Sequence, residues 1–376
     1  MAREVSLTEK PQSPRDATID ILRGTAILTM VCANSAAYIL QQPHPLGIRL
    51  YGTWAAPLFI VLAGLMVALT KERKNYGFSH YWQRGVLLLS VACLFDMICF
   101  GSYPLLGFDV LYLIGIATPL AFWFLQLRLF PQYIIITAIL VLTPPLQKFL
   151  GYTIDMPTAI PLTSGAENID FSLTKVVKHW LIDGWFPIFP WLSFSFIGVI
   201  LAKLRTEFTH FARPRFFMAG GAALLVGLAT WSVELRNLQA NATAAGSLFA
   251  FENLGTRTSG TENYSEMFYP PTLGYCLIAL GLILLLFALV DSNPRLSIYK
   301  PLELLGQCSL FMYLLHYSLV YHLLDKLVTE ESLPMGQFLL VYLGFMVFLV
   351  IVAGGIRWLK QKWQTPPYLV KFLLGG

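Results

Sequence analysis

Residues 336–356 read GQFLLVYLGFMVFLVIVAGGI. No charged side chain interrupts this run. Its length matches the roughly 20 apolar residues that a helix needs to cross a bilayer at about 1.5 Å per residue. Working outward, comparable runs lie at 24–41, 53–70, 84–103, 109–127, 131–150, 185–203, 216–235, 271–290 and 303–324, separated by breakers such as Pro43, Pro45, Pro144-Pro145 and Pro270-Pro271. The whole-chain composition agrees: 376 residues, 56% hydrophobic, 14% aromatic and only 12% charged, with a mean hydropathy of +0.63. A soluble domain has about 45–50% apolar and about 25% charged residues. A water-soluble globule, a disordered chain and a secreted disulfide scaffold are therefore excluded. The expected fold class is all-α, a polytopic transmembrane helix bundle of about 10 spans.

The net charge of +5 is explained by topology rather than by nucleic acid. With the N-terminus placed in the cytoplasm, basic residues gather on the inner side: Arg3, Lys10, Arg15 and Arg23; Lys71, Arg73, Lys74 and Arg84; Arg128; Lys203, Arg205, Arg213 and Arg215; Arg295 and Lys300; Arg357, Lys360, Lys362 and Lys371. The outer side keeps Arg49, Lys148, Lys175, Lys178, Arg236, Arg257 and Lys326. This split follows the positive-inside bias and supports an even number of spans. Both termini are expected in the cytoplasm, and the protein in the plasma or inner membrane. Residues 1–20 are polar and carry no signal-peptide pattern. Cys32, Cys93, Cys99, Cys276 and Cys308 all sit in apolar runs without metal or redox spacing, as small core residues do. Two longer outer loops, about 150–184 and 236–270, carry polar stretches; the second holds Asn241-Ala-Thr243 and Asn263-Tyr-Ser265, which match the N-glycosylation pattern.

Polar groups within a membrane segment are costly unless paired, so each is a candidate for function. Asp20 and Arg23 are spaced i,i+3 at the start of the first span, suited either to an anchoring ion pair or to holding an anionic group of a bound molecule. Asn34 lies deeper. His44, in Gln41-Gln-Pro-His44-Pro, falls between the first two spans, where flanking prolines restrict the backbone. A fixed His near neutral pKa suits a general base or nucleophile, and Asn34 suits either orienting that His or holding a developing oxyanion. Asp183-Gly-Trp185-Phe-Pro187-Ile-Phe-Pro190-Trp191 is read as an interfacial aromatic belt or a rigid wall for a ligand. His316, in Tyr313-Leu-Leu-His316-Tyr317, is expected as a neutral His bonded to a neighbouring helix, and Asp96 must face the bundle interior or water. No nucleotide-binding glycine loop, zinc-protease motif or nucleophile elbow occurs.

Six segments in order resemble one family. They are Ile19-Asp20-Ile-Leu-Arg23-Gly24, Trp54-Ala-Ala-Pro57-Leu-Phe59-Ile-Val-Leu-Ala-Gly64, Val110-Leu-Tyr-Leu-Ile-Gly115, Phe186-Pro187-Ile-Phe-Pro190-Trp191, Tyr269-Pro-Pro271-Thr-Leu and Leu310-Phe-Met-Tyr-Leu-Leu-His316. Over about residues 15–325 the chain resembles the transmembrane acetyltransferases typified by heparan-alpha-glucosaminide N-acetyltransferase and their bacterial relatives. The resemblance implies a cytoplasmic tail at 1–14, an acetyltransferase-like membrane domain at 15–362 and a second tail at 363–376. It implies transfer of an acetyl group from cytosolic acetyl-CoA to an amino sugar or glycan-type acceptor on the far side. His44 and Asn34 take the catalytic positions, although their spacing is about one residue shorter than in the typified enzyme. Arg23 and Asp20 fall to the acetyl-CoA side, and Asp183, Trp185, Trp191 and His316 to the acceptor. No large luminal domain is expected ahead of the first span, so the acceptor need not be heparan sulfate. Expected partners are acetyl-CoA, the sugar acceptor and membrane lipids, with no nucleic acid; a homodimer is left open. The rivals are a proton-coupled secondary transporter using Asp96 and His316, and a non-catalytic lipid- or glycan-binding relative.

Overall fold

In the computed structural model the described residues are 15–42, 44–152, 161–163, 172–207, 212–240, 271–328, 332–363 and 365–375. Among them every regular element is a helix, and the only β pairings are isolated bridges, Leu40 with Leu333 and Ser102 with Pro161. The order is α1 (Ala17–Ile39), α2 (Leu46–Thr53), α3 (Ala55–Lys74), α4 (Phe78–Cys99), α5 (Val110–Leu125), α6 (Leu129–Leu150), α7 (Leu173–Lys178), α8 (Ile188–Glu207), α9 (Ala212–Ala240), α10 (Leu273–Ser292), α11 (Lys300–Gly306), α12 (Ser309–Leu319), α13 (Asp325–Leu327), α14 (Met335–Lys362) and α15 (Tyr368–Leu373).

The central helix is α1. Ile21, Leu22, Ala26, Ile27 and Val31 are fully buried, and the helix meets α2, α3, α10, α11, α12 and α14. Close approach rests on small residues, as expected where lipid supplies no hydrophobic drive between helices. A Cβ added at Gly24 would collide with the Leu302 carbonyl, and one at Gly306 with that of Asp20, so α1 and α11 touch backbone to backbone. Gly64 against Ser195 and Gly198 against Val61 lock α3 to α8 in the same way.

The periphery behaves oppositely. The apolar window of α14 has a mean hydropathy of 2.7, yet only 22% of it is buried. Leu340, Val347 and Ile351 lie open. In water this face would be an aggregation surface; in a bilayer it is the lipid-facing side.

Each of the ten expected segments coincides with helix, but the span count is lower. Seven helices among the described residues are long and apolar enough to cross a membrane, or eight if a bent pair is one span. Two segments fall short for different reasons. At 16 residues, α5 is brief, and Arg23, Asn34 and Ser35 dilute the hydropathy of α1. The segment expected as one span at 303–324 is bent by 79° between Ser297–Gly306 and Ser309–Leu324. The break leaves the Gln307 carbonyl outside the helical ladder, where the Arg15 guanidinium (3.2 Å) and the Lys360 ammonium (3.1 Å) donate to it. Beyond α14 the chain turns back. In α15, Phe372 is buried with the Arg84 guanidinium 5.2 Å from its ring centre, and Arg15 donates to the Gly375 carbonyl at 3.2 Å. Part of the predicted 363–376 tail thus packs on the bundle.

Candidate active site

Two regions, at opposite ends of α1, collect the polar residues. The 23 residues of α1 set these ends about 34 Å apart.

At the C-terminal end of α1, a cavity of about 340 Å³ opens among α1, α2, α4, α5 and α12. Asn34 and His44 both line it. His44 is not the exposed loop residue its position suggests: it is 3% exposed, and its Nε2–H donates to the Leu40 carbonyl at 3.0 Å. That bond makes Nδ1 the lone-pair nitrogen. The backbone it grips is itself held, because Gln41 N donates to the Leu333 carbonyl and Leu333 N to that of Ile39, each at 2.9 Å. Long-range pairing with the segment ahead of α14 therefore fixes His44.

Asn34 pairs with His316, not with His44. His316 is fully buried; its Nδ1–H donates to Met312 O at 3.1 Å, so Nε2 accepts from the Asn34 Nδ2–H at 3.0 Å. The Asn34 amide is thereby oriented, and it keeps a second N–H and its carbonyl oxygen. His316 stands behind the cavity wall and fixes a residue of that wall.

Two carboxylates complete the polar lining. Asp96 Oδ2 accepts from the Tyr112 hydroxyl at 2.5 Å. Asp109 caps α5: its Oδ1 accepts from Val110 N at 2.6 Å, and its Oδ2 from the Tyr313 hydroxyl at 2.5 Å. Tyr103, Trp185, Tyr317 and Tyr321 form an aromatic wall. Trp185 is placed by its backbone N–H, which donates to the Gly107 carbonyl at 3.0 Å. Asp183 and Trp191 lie off this wall. Asp183 is 1% exposed, with His179 Nδ1 at 2.7 Å and Lys178 Nζ at 3.2 Å. Trp191 is fully buried between Phe186, Phe194 and Tyr275.

The N-terminal end of α1 is ionic. Asp20, 2% exposed, receives Arg15 at 2.6 Å and Arg23 at 3.4 Å. Asp16 and Asp291 share Arg205, which donates to Asp16 Oδ2 at 2.6 Å and to Asp291 Oδ1 at 2.8 Å; Arg73 lies 3.8 Å from Asp16. Arg84 lies near enough to Arg23 to act on it electrostatically.

Spacing alone does not single out Asp109, Tyr112 or the Asp16–Arg205–Asp291 network. Asp109 carries one legible signal, an Asp directly before an apolar run, as at a helix N-cap. The Asn241 and Asn263 triplets and the Tyr269-Pro270 part of the resemblance lie outside the described residues. All five cysteines are free.

A helical membrane bundle with a His- and Asn-lined cavity at one end and arginines at the other is the class these features define. The family model described as an acyltransferase domain matches residues 16–358, and the chain belongs to that acyltransferase family. A search of curated proteins finds no match.

Proposed function

We propose that this membrane acyltransferase moves the acetyl group of acetyl-CoA onto an amino sugar or glycan-type acceptor, with His44 and Asn34 at the reacting centre. Kinship with heparan-alpha-glucosaminide N-acetyltransferase and its bacterial relatives is part of the same reading. The observation that carries it is that Asn34 and His44, from different elements, line one cavity.

On this reading each group has a task. The acceptor amine or hydroxyl gives its proton to His44 Nδ1 as it attacks the thioester carbonyl. The developing oxyanion takes the free N–H of Asn34. The new C–N or C–O bond forms, the C–S bond breaks, and the proton leaves with the thiol of CoA. Arg23 and Asn34 are eleven positions apart, close to three full turns and about 16 Å along α1. They share one face of the helix with Met30, which also lines the cavity. A phosphate held near Arg23 leaves an extended pantetheine arm to reach Asn34. The basic N-terminal end of α1 therefore faces the cytosol and receives acetyl-CoA, and the cavity end receives the acceptor. Trp185 serves in the aromatic wall, Trp191 packs on Phe186 behind it, His316 holds Asn34, and Asp183 is tied to Lys178 and His179 rather than to the acceptor.

The test is incubation of purified protein with radiolabelled acetyl-CoA and candidate amino sugars. Labelled sugar formed by the wild type and not by His44→Gln supports the reading. A carrier would move sugar without consuming acetyl-CoA, and that result overturns it.

A further inference from the structure

We infer that Asp96 selects the acceptor by charge, so that the cavity takes a neutral or amino sugar and rejects anionic ones such as uronic or sulfated sugars. The inference rests on the reading of this cavity as the acceptor site and adds a substrate class to it. Among the described residues, the cavity wall includes two carboxylates, Asp96 and Asp109, and neither lysine nor arginine. An anionic ligand would be set against two carboxyl groups there, with no lysine or arginine of the described lining to offset it.

The two carboxylates are not equivalent. Both oxygens of Asp109 are committed, Oδ1 to Val110 N and Oδ2 to the Tyr313 hydroxyl. Its role is to cap α5 and hold Tyr313. Asp96 uses only Oδ2, for Tyr112; no donor among the described residues reaches its Oδ1. That oxygen is the acceptor left for a ligand hydrogen, and an ammonium or hydroxyl supplies one where a carboxylate or sulfate does not. Tyr112 is itself braced, its hydroxyl accepting from Leu105 N at 3.2 Å, so the carboxylate is held in one orientation. The aromatic wall of Tyr103, Trp185 and Tyr321 gives a pyranose ring its apolar faces to rest on.

The experiment measures equilibrium binding of radiolabelled glucosamine, methyl glucoside and glucuronate to the full chain in lipid nanodiscs, without donor. Glucosamine and methyl glucoside should bind at least tenfold more tightly than glucuronate. Asp96→Asn should shrink that ratio severalfold, chiefly by weakening glucosamine, and Asp96→Glu should restore it. Equal or tighter binding of glucuronate by the wild type overturns the inference, whatever the variants do. So does a ratio unchanged in a folded Asp96→Asn, or no sugar binding at all. Selective binding of glucosamine that is never acetylated leaves the charge selection standing and defeats the acetyltransferase reading instead.

Discussion

The two ends of α1 make opposite use of charge. At its N-terminal end Arg15, Arg23 and Arg205 are tied to Asp20, Asp16 and Asp291, and α15 packs across with Phe372 under Arg84. At its C-terminal end the cavity carries Asp96 and Asp109 among aromatic rings, with no lysine or arginine in the described lining. A polyphosphate anion suits the first environment and is repelled by the second; an amine or a polyhydroxyl ligand has the reverse preference. The difference teaches that a single helix can offer two opposite electrostatic environments, provided its ionic residues are segregated along its length. Beyond Arg23, α1 carries no further ionic residue, and its polar side chains there, among them Thr25, Thr29, Asn34 and Ser35, are neutral.

The sharpest break of this comparison is at the cavity. His44→Gln keeps a polar side chain and removes the imidazole base. Transfer is expected to fall by about 10²–10⁴-fold, with acetyl-CoA affinity and thermal midpoint close to wild type. Because His44 is buried, His44→Ala is a poorer probe and is expected to lower the midpoint as well. A near wild-type rate for His44→Gln removes His44 from the chemistry.

At the ionic end the largest change is one of stability. Arg205→Ala leaves Asp16 and Asp291 without their shared cation and is expected to cost about 3 kcal/mol, as when one partner of a largely buried pair is removed. Thermal unfolding in detergent reads it, and a loss below about 0.5 kcal/mol would make the network a solvated surface pair. Arg23→Ala is a smaller and more specific change. It should weaken acetyl-CoA binding about tenfold, in line with the loss of one charge-assisted contact, while sugar binding stays unchanged. Calorimetry with acetyl-CoA checks it, and an unaltered affinity takes Arg23 out of the donor site.

The sequence is most legible where the physics is local. The apolar run at 336–356 is helical in α14, and the i,i+3 pair Asp20–Arg23 is 3.4 Å apart. The bend at Gln307–Cys308 is less legible, because it depends on Gly306 pressing against the Asp20 backbone and on Arg15 and Lys360 reaching the freed carbonyl. The same is true of the site. His44 and Asn34 stand out by residue type, but the burial of one depends on the pairing of Leu40 with Leu333. The partner of the other is His316, on a helix nearly three hundred residues away in sequence. Tyr112 with Asp96 and Tyr313 with Asp109 are likewise made only by the packing of α4, α5 and α12. Arg205 reads in sequence as one more inner-loop cation, and only the fold brings Asp16 and Asp291 to it.

The central claim is that donor and acceptor use opposite ends of one bundle. It is tested most directly in proteoliposomes whose orientation is set by labelling Lys74→Cys, which lies at the end of α3 beside Arg73 and so on the ionic side. Radiolabelled acetyl-CoA is supplied on one side of the membrane and glucosamine on the other, in both arrangements. The account predicts labelled N-acetylglucosamine only when acetyl-CoA shares the side of position 74 and glucosamine has access to the opposite face. Product formed equally well with both substrates confined to the side of position 74 would contradict it.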